Sequence, residues 1–316
     1  MAEPLVSVVV ATHNRPARLE RLLESLSAQR LERHQFEVIV VDDASEQQTG
    51  QLLARWETEA ALPLRTIRLE APRGPAAARN AGWRSARAAL VAFTDDDCAA
   101  DPGWLSEGLR VHASEPMSIV QGATVPDPAD GGALGPRTRT VSVDSLGPQY
   151  EACNIFYARA LLESLDGFDE RFDARAPGED TDLAWRAIER GTATVFAPDA
   201  VVFHAVERVG IRGMLRLADR WGETARVFSA HPEARSMLYL RVFWNVWHYL
   251  LWRSLLAIMA PRSLRRLILT RHLLELRKRS IEAGEGAALI PLLLICDAVE
   301  CWSMARGAVR HRTFVL

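Results

Sequence analysis

The N-terminal two thirds of the chain alternates short β-branched runs with longer stretches in which apolar residues recur at helical spacing. Val6-Ser7-Val8-Val9-Val10 is nearly continuous in apolar character, which predicts a strand covered on both faces. Thr12-His13-Asn14-Arg15-Pro16 is a polar turn, and Pro16 suits the first turn of a helix whose apolar face is Leu19, Leu22, Leu23 and Leu26. A second strand, Phe36 to Val41, runs into Asp42-Asp43-Ala44-Ser45. Helix is predicted from Thr49 to Thr58 and a strand from Leu64 to Leu69. Gly74 and Pro75 then set a turn before a helix of small residues, Ala76-Ala77-Ala78, able to pack closely on a sheet or a ligand. Arg79 emerges one turn into that helix, within reach of a base or phosphate, although most arginines so placed only pair with surface acids. A strand from Ala88 to Phe93 follows. This alternation predicts an α/β class with a mostly parallel central sheet flanked by helices.

The pattern loosens after Val111 to Val120, which holds the end of one helix and the next strand. Pro126 to Pro136 is the clearest flexible segment, and the polar loop Asp127 to Arg139 reads either as a mobile loop near a bound ligand or as a surface excursion. Cys153 to Tyr157 is a strand, Arg159 to Ser164 a helix, and Glu179 to about Arg190 another helix with Gly191 as its stop. Thr194 to Phe196 and Val201 to Phe203 read as two short strands, the second ending at His204. Beyond residue 205 the chain turns helical, aromatic over Val242 to Arg253 and basic from Arg262 to Arg279. The apolar run Ala287 to Cys296 stops at Asp297, short of the roughly 20 residues of a membrane span. Aromatic helices beside a basic stretch fit peripheral contact with an anionic membrane surface; a helical cap burying that surface in a homodimer is the competing account. The expected organisation is one domain over 1–205, divided at about residue 105, and a helical extension over 206–316.

Composition adds exclusions. With 316 residues, 48% hydrophobic, 25% charged and a formal net charge of -2, the chain is an ordinary folded protein and not a uniformly basic nucleic-acid binder. Cys98, Cys153, Cys296 and Cys301 form no CxxC pair, which argues against structural zinc and fits a reducing compartment. The first residues lack a basic segment before the apolar run, so the reading is a cytoplasmic protein, with the membrane option at the cytoplasmic face of the inner membrane.

The chemistry concentrates at Asp95-Asp96-Asp97, where an apolar strand stops in three consecutive carboxylates. Bringing like charges together in a fold costs energy unless a cation offsets them. Two carboxylates at the end of a buried strand suit a divalent ion, and that ion suits a diphosphate. Strand-to-loop junctions of open α/β sheets are where ligands sit. A solvated acidic turn is the bland alternative for the bare triplet. Glu179, Asp180 and Asp182 open a helix after Pro177-Gly178, a place for capping or for a positioned base. A lone His204 after a strand is more often structural than metal-ligating.

Taken in order, these residues resemble the family 2 glycosyltransferases with the GT-A fold. The resemblance rests on the opening strand into Thr12-His13-Asn14-Arg15, Val41-Asp42-Asp43-Ala44-Ser45, and Gly74-Pro75-Ala76-Ala77-Ala78-Arg79-Asn80-Ala81-Gly82. It continues with Asp95-Asp96-Asp97 before Pro102 and Trp104-Leu105, Asn154, Gly167-Phe168-Asp169-Glu170, Glu179-Asp180-Thr181-Asp182-Leu183 and His204. Each motif is weak alone; their order over residues 5 to 204 is specific. The resemblance implies that Asp43 binds the nucleotide base with Thr12 and Asn14 in the same pocket, and that Arg79 is a second nucleotide contact. Asp95-Asp96-Asp97 corresponds to the DXD-like motif, with Asp97 as metal ligand, Asp95 and Asp96 toward ribose and sugar, and His204 reaching the metal or diphosphate. Asp180 corresponds to the catalytic base, while Asn154, Glu179 and Asp182 are acceptor-binding, the last two alternatively loop supports.

The implied activity is inverting transfer of a sugar from a nucleotide-diphosphate sugar to a hydroxyl of a glycan or lipid-linked acceptor, with Mn²⁺ or Mg²⁺, in cell-envelope or polysaccharide synthesis. A sugar-phosphate nucleotidyltransferase would need a Gly-rich loop after the first strand, and a dehydrogenase G-x-G-x-x-G; neither is present. An inactive sugar-nucleotide sensor or scaffold would not require the Glu179-Asp180 pair.

Overall fold

A computed structural model describes residues 3–59, 61–131, 134–172, 177–282, 284 and 286–316. Gly132 and Ala133 of the expected flexible segment lie outside them. The chain forms two compact units, one of residues 1–130, 140–174 and 179–206, the other of 131–139, 175–178 and 207–316.

The first unit is built on β1 (Val6–Thr12), α1 (Pro16–Ser27), β2 (Phe36–Asp42), α2 (Gln47–Glu59), β3 (Leu64–Arg68), α3 (Pro75–Arg84) and β4 (Leu90–Asp95). It continues through β5 (Cys98–Ala100), α4 (Trp104–Ser114), β6 (Ile119–Pro126), β8 (Asn154–Ala158), α5 (Arg159–Leu165), α6 (Glu179–Ile188) and β9 (Thr194–His204); β7 (Thr138–Arg139) belongs to the other unit. One eight-stranded sheet runs in the order β3-β2-β1-β4-β8-β6-β9-β5. β3, β2, β1 and β4 are mutually parallel, as the alternating pattern predicts, and β8 enters antiparallel beside β4.

Both faces of β1 and β2 are buried, and the side chains sort by parity. Val6, Val8, Val10, Val38 and Val40 join the core that holds Leu19, Leu22, Leu23, Leu26 and Trp104 from α1 and α4. Val9, Ile39 and Val41 face the opposite core, with Ala76, Ala78, Leu162 and Leu183 from α3, α5 and α6. The small residues of α3 are needed for that approach: a Cβ on Gly82 would come within 2.4 Å of Val9 Cγ1.

Two expectations change. The strands expected over Thr194–Phe196 and Val201–Phe203 are one strand, β9, whose pairing with β6 jumps from Gly122↔Ala197 to Ala123↔Val201. Pro198, Asp199 and Ala200 bulge out between the two halves. In addition, the chain forms β5 only two residues after β4, pairing antiparallel to β9 with Cys98 opposite His204.

The second unit contains the two-stranded pair β7 and β10 (Glu207–Arg208), then α7 (Ile211–Asp219), α8 (Ala225–Ala230), α9 (Val246–Leu256), α10 (Arg262–Glu282) and α11 (Ile290–Arg310). Asp297 does not end the apolar run as expected. It sits inside α11, buried, accepting hydrogen bonds at 2.8 and 3.1 Å from Arg279 Nη1 of α10. The guanidinium offsets the charge, so the helix continues. Among the described residues Ala287–Arg310 is the one helix long and apolar enough to cross a membrane. One side of it is core to its own unit: Met214 and Ala218 of α7 cluster with Cys296, and a Cβ on Gly307 would fall 1.8 Å from the Gly222 carbonyl oxygen.

Candidate active site

The carboxyl ends of β1, β2 and β4 bring the predicted motifs together. At the end of β1, Thr12 Oγ1 donates to Asp96 Oδ2 at 2.8 Å. Asn14 takes a left-handed backbone (φ 57°), its Oδ1 accepting from the Glu46 amide at 2.6 Å and its own amide donating to Ser45 Oγ at 3.0 Å. The β1 turn is thereby tied to the β2 turn, where Ala44 is also left-handed (φ 53°). A non-glycine residue held there is strained, a condition that gathers at functional sites. Asp43 accepts from the backbone amides of Arg73 and Gly74 at 2.7 and 2.8 Å, which fixes the loop entering α3. Gly74 there has φ 87°, a region that glycine enters without a side-chain penalty.

The three aspartates are treated differently by their surroundings. Burial would raise the Asp95 carboxyl, but the charge and hydrogen bond of Arg79 outweigh it and hold the group below its ordinary range. Asp96 is pushed up to about 6, chiefly by burial and then by the Asp97 and Asp95 charges, with Arg15 and Thr12 opposing. Arg15 Nη1 lies 3.2 Å from Asp96 Oδ1 and 2.8 Å from Asp97 Oδ2. This arginine is a site residue that the sequence reading passed over, although it stands one position after Asn14 in the same motif.

The β5–β9 pairing sets Asp97 Oδ1 3.6 Å from His204 Nε2, both side chains buried. Asp97, Cys98 and His204 offer ligand atoms all within 4.8 Å of one another. Burial raises the Cys98 thiol well above its ordinary value, which disfavours the thiolate in the absence of an ion. A carboxylate oxygen and an imidazole nitrogen are donors that Mn²⁺ accepts, and the donor set therefore fits a divalent ion at Asp97 and His204.

Arg79 is enclosed. Its Nη2 donates to Asp95 at 2.8 Å and its Nη1 to Glu179 at 2.7 Å, with its Cζ 5.6 Å from the Phe168 ring centre. It links the acids of β4 to those of α6, so that Arg79, expected at the nucleotide, and Glu179, expected at the acceptor or as a loop support, are bonded to each other. Asp182, also buried, accepts from Arg186 Nε at 2.8 Å, and that arginine donates to the carbonyls of Leu165 and Gly167. It too supports the loop.

Asp180 is different. It is only partly covered, its Oδ1 accepting from the Thr181 amide at 2.8 Å and its Oδ2 from the Ala152 amide at 3.2 Å. Burial, then the charge of Glu179, raises it to about 7 against the opposing pull of Arg79. A carboxyl poised near neutrality suits a general base.

Asn154, expected at the acceptor, is enclosed. Its side chain is 0% exposed. Its Nδ2 donates to the carbonyls of Ala123 and Ala200 at 2.7 and 2.8 Å, and its Oδ1 accepts from Trp104 Nε1 at 2.8 Å. Those carbonyls flank the β9 bulge, so Asn154 satisfies groups that the irregular ladder leaves unpaired. Replacing it with Ala strands three buried groups and is expected to cost roughly 3 kcal/mol or more, read as a lower urea midpoint with unchanged nucleotide specificity in the folded fraction.

Residues 7–167 match the family model described as glycosyl transferase family 2, and residues 152–296 match glycosyl transferase family group 2. The glycosyltransferase AglE of Haloferax volcanii is 25% identical over 213 residues, 66% of this chain and 69% of its own. The pre-mycofactocin glycosyltransferase of Mycobacterium tuberculosis is 30% identical over 249 residues, 74% of this chain but 50% of its own, so the chain spans about half that relative's length. Among solved structures, the Pyrobaculum calidifontis mannosyltransferase PcManGT in complex with GDP-mannose and Mn²⁺ aligns with a TM-score of 0.66 at 22% identity, covering 96% of this chain and 88% of that one. Staphylococcus aureus TarS 1-349 with UDP-GlcNAc aligns at 0.55 and 17% identity over 98% and 92%. These likenesses place the first unit's curled, helix-flanked sheet and the C-terminal helices in the GT-A fold. On the family match across half its length, the chain belongs to glycosyl transferase family 2.

Proposed function

We propose that this chain is an inverting, divalent-metal-dependent glycosyltransferase that moves a sugar from a nucleotide-diphosphate donor to a hydroxyl of a glycan or lipid-linked acceptor. The observation that carries the reading is the division of labour among the acids: Asp97 beside His204 at one place, and at another Asp180 raised to about 7. Binding alone does not require the second. Thr12, Asn14 and Asp43, at the ends of β1 and β2, would take the nucleotide. Asp97 and His204 would hold a Mn²⁺ or Mg²⁺ ion, whose charge when bound offsets that of the departing diphosphate. Arg15 balances Asp96 and Asp97, and Arg79 keeps Asp95 and Glu179 in place. Asp180 takes the proton of the acceptor hydroxyl as that oxygen attacks the anomeric carbon from the face opposite the leaving group, which inverts its configuration.

Thermal-shift titration with UDP-, dTDP- and GDP-sugars, with and without Mn²⁺, tests the donor. At a ligand concentration 100 times Kd the stabilisation should be about 2.7 kcal/mol, for one nucleotide class and only with the ion. A folded protein that shifts with none of them would remove the reading. Zero transfer with a normal shift would point instead to a sugar-nucleotide-binding scaffold.

A further inference from the structure

α10 carries seven arginine or lysine residues against two glutamates. Its buried face is His272, Leu276 and Ser280, one residue per turn, with His272 Nδ1 2.7 Å from Ser254 Oγ of α9 and Arg279 tied to Asp297 of α11. The opposite face is apolar and bare: Leu267, Leu274 and Ile281 recur every seventh residue at 67%, 58% and 61% exposure. A seven-residue step drifts only about 20° around a helix, so the three form one stripe. Exposed Arg271 and Lys278 line one edge of it, and exposed Arg266 and Arg277 the other. Just before the helix, the last residue of α9, Leu256, and the turn after it, with Ile258 and Met259, stand at 71%, 58% and 89% exposure.

From this, the geometry points to α10 and the turn before it as a docking surface for an anionic lipid bilayer, with the helix lying in the plane of the headgroups. Leucines and isoleucine enter the acyl boundary while the flanking cations meet lipid phosphates. The charge pattern decides the occupant. Arg271 and Lys278 share the leucine seam at the positions a paired helix would contact, so a second copy would bring like charges face to face. Anionic headgroups complement them. α11, although longer in apolar character, has one side committed to its own unit through Leu293, Cys296 and Met304, whereas the α10 stripe is wholly outward.

This surface is independent of the donor reading, and its test keeps the two apart. The full chain is floated with phosphatidylcholine vesicles, with and without phosphatidylglycerol, and its thermal shift with nucleotide sugars is measured without vesicles. Wild type should float only with phosphatidylglycerol and be released by salt. The pair Leu267→Glu and Leu274→Glu should lower partitioning by about tenfold per leucine, and Arg266→Gln, Arg271→Gln and Arg277→Gln by about fivefold per charge. Both variants should keep the wild-type melting temperature and nucleotide shift, since every altered side chain is exposed. Equal flotation with neutral vesicles, no flotation, or undiminished flotation of the leucine variant would overturn the proposal. So would a dimer in sedimentation that the leucine variant converts to monomer, because the stripe would then belong to a second copy.

Discussion

Asp97→Ala should lower release of the nucleotide diphosphate by about 10³-fold, because the variant loses a carboxylate where charge must be offset as the anomeric bond breaks. Mn²⁺ dependence should weaken with it, while the melting temperature changes little: Arg15 retains Asp96, and His204 remains paired in the strand ladder. The informative contrast is Glu179→Ala. Glu179 accepts from the buried Arg79, which keeps Asp95 as its other partner. Its loss should cost roughly 1–3 kcal/mol of stability and reduce turnover less than Asp97→Ala does, measured as initial rates of diphosphate release on protein verified as folded. Equal, near-normal rates in the two variants would contradict the assignment of Asp97 to the ion.

Asp180→Asn should reduce sugar transfer by about 10²- to 10⁴-fold with nucleotide binding intact. The pH profile gives the sharper reading. Asp180 titrates near 7 because burial and then Glu179 raise it, and a base works only when deprotonated. Transfer should therefore rise as pH increases through about 7 and level off above it, and the Asn variant should lack that limb. For stability the sign is opposite. A carboxyl raised above its unfolded value makes the folded state bind more protons between about 4 and 7. Its contribution is most favourable at the acid end of that window and diminishes as pH rises through it. An unchanged activity limb in the Asn variant would assign it to another group.

Long, chemically uniform features were legible in the sequence. β1 and β2 announce themselves because strands buried on both faces must be β-branched nearly throughout. Asp95-Asp96-Asp97 is legible because clustered charge at a strand end is costly without a partner. What escaped depends on contacts between distant residues. β5 is three residues long, and Cys98-Ala99-Ala100 exists as a strand only because β9 is beside it. The β9 bulge divides one strand into two apolar runs, and Asn154, which looks like a polar site residue, is recruited to mend that break. Arg15 was passed over and Asp297 misread for a shared reason: a charge is judged by its partner, and the partners stand 81 and 18 residues away.

The meeting of Asp97 with His204 rests on a narrow selvedge of the sheet. Within the sheet β5 is last in the order and borders β9 alone, their junction continued by the Ala205 amide donating to the Asp97 carbonyl at 2.9 Å. Slippage by one residue would turn the imidazole to the opposite side. On the proposed metal site, cation affinity and the fraying of this hem would be two faces of one equilibrium: an ion held by the pair should slow deuterium uptake at Ala99 and Ala205, and a mutation that loosens the hem should weaken the grip without touching a ligand.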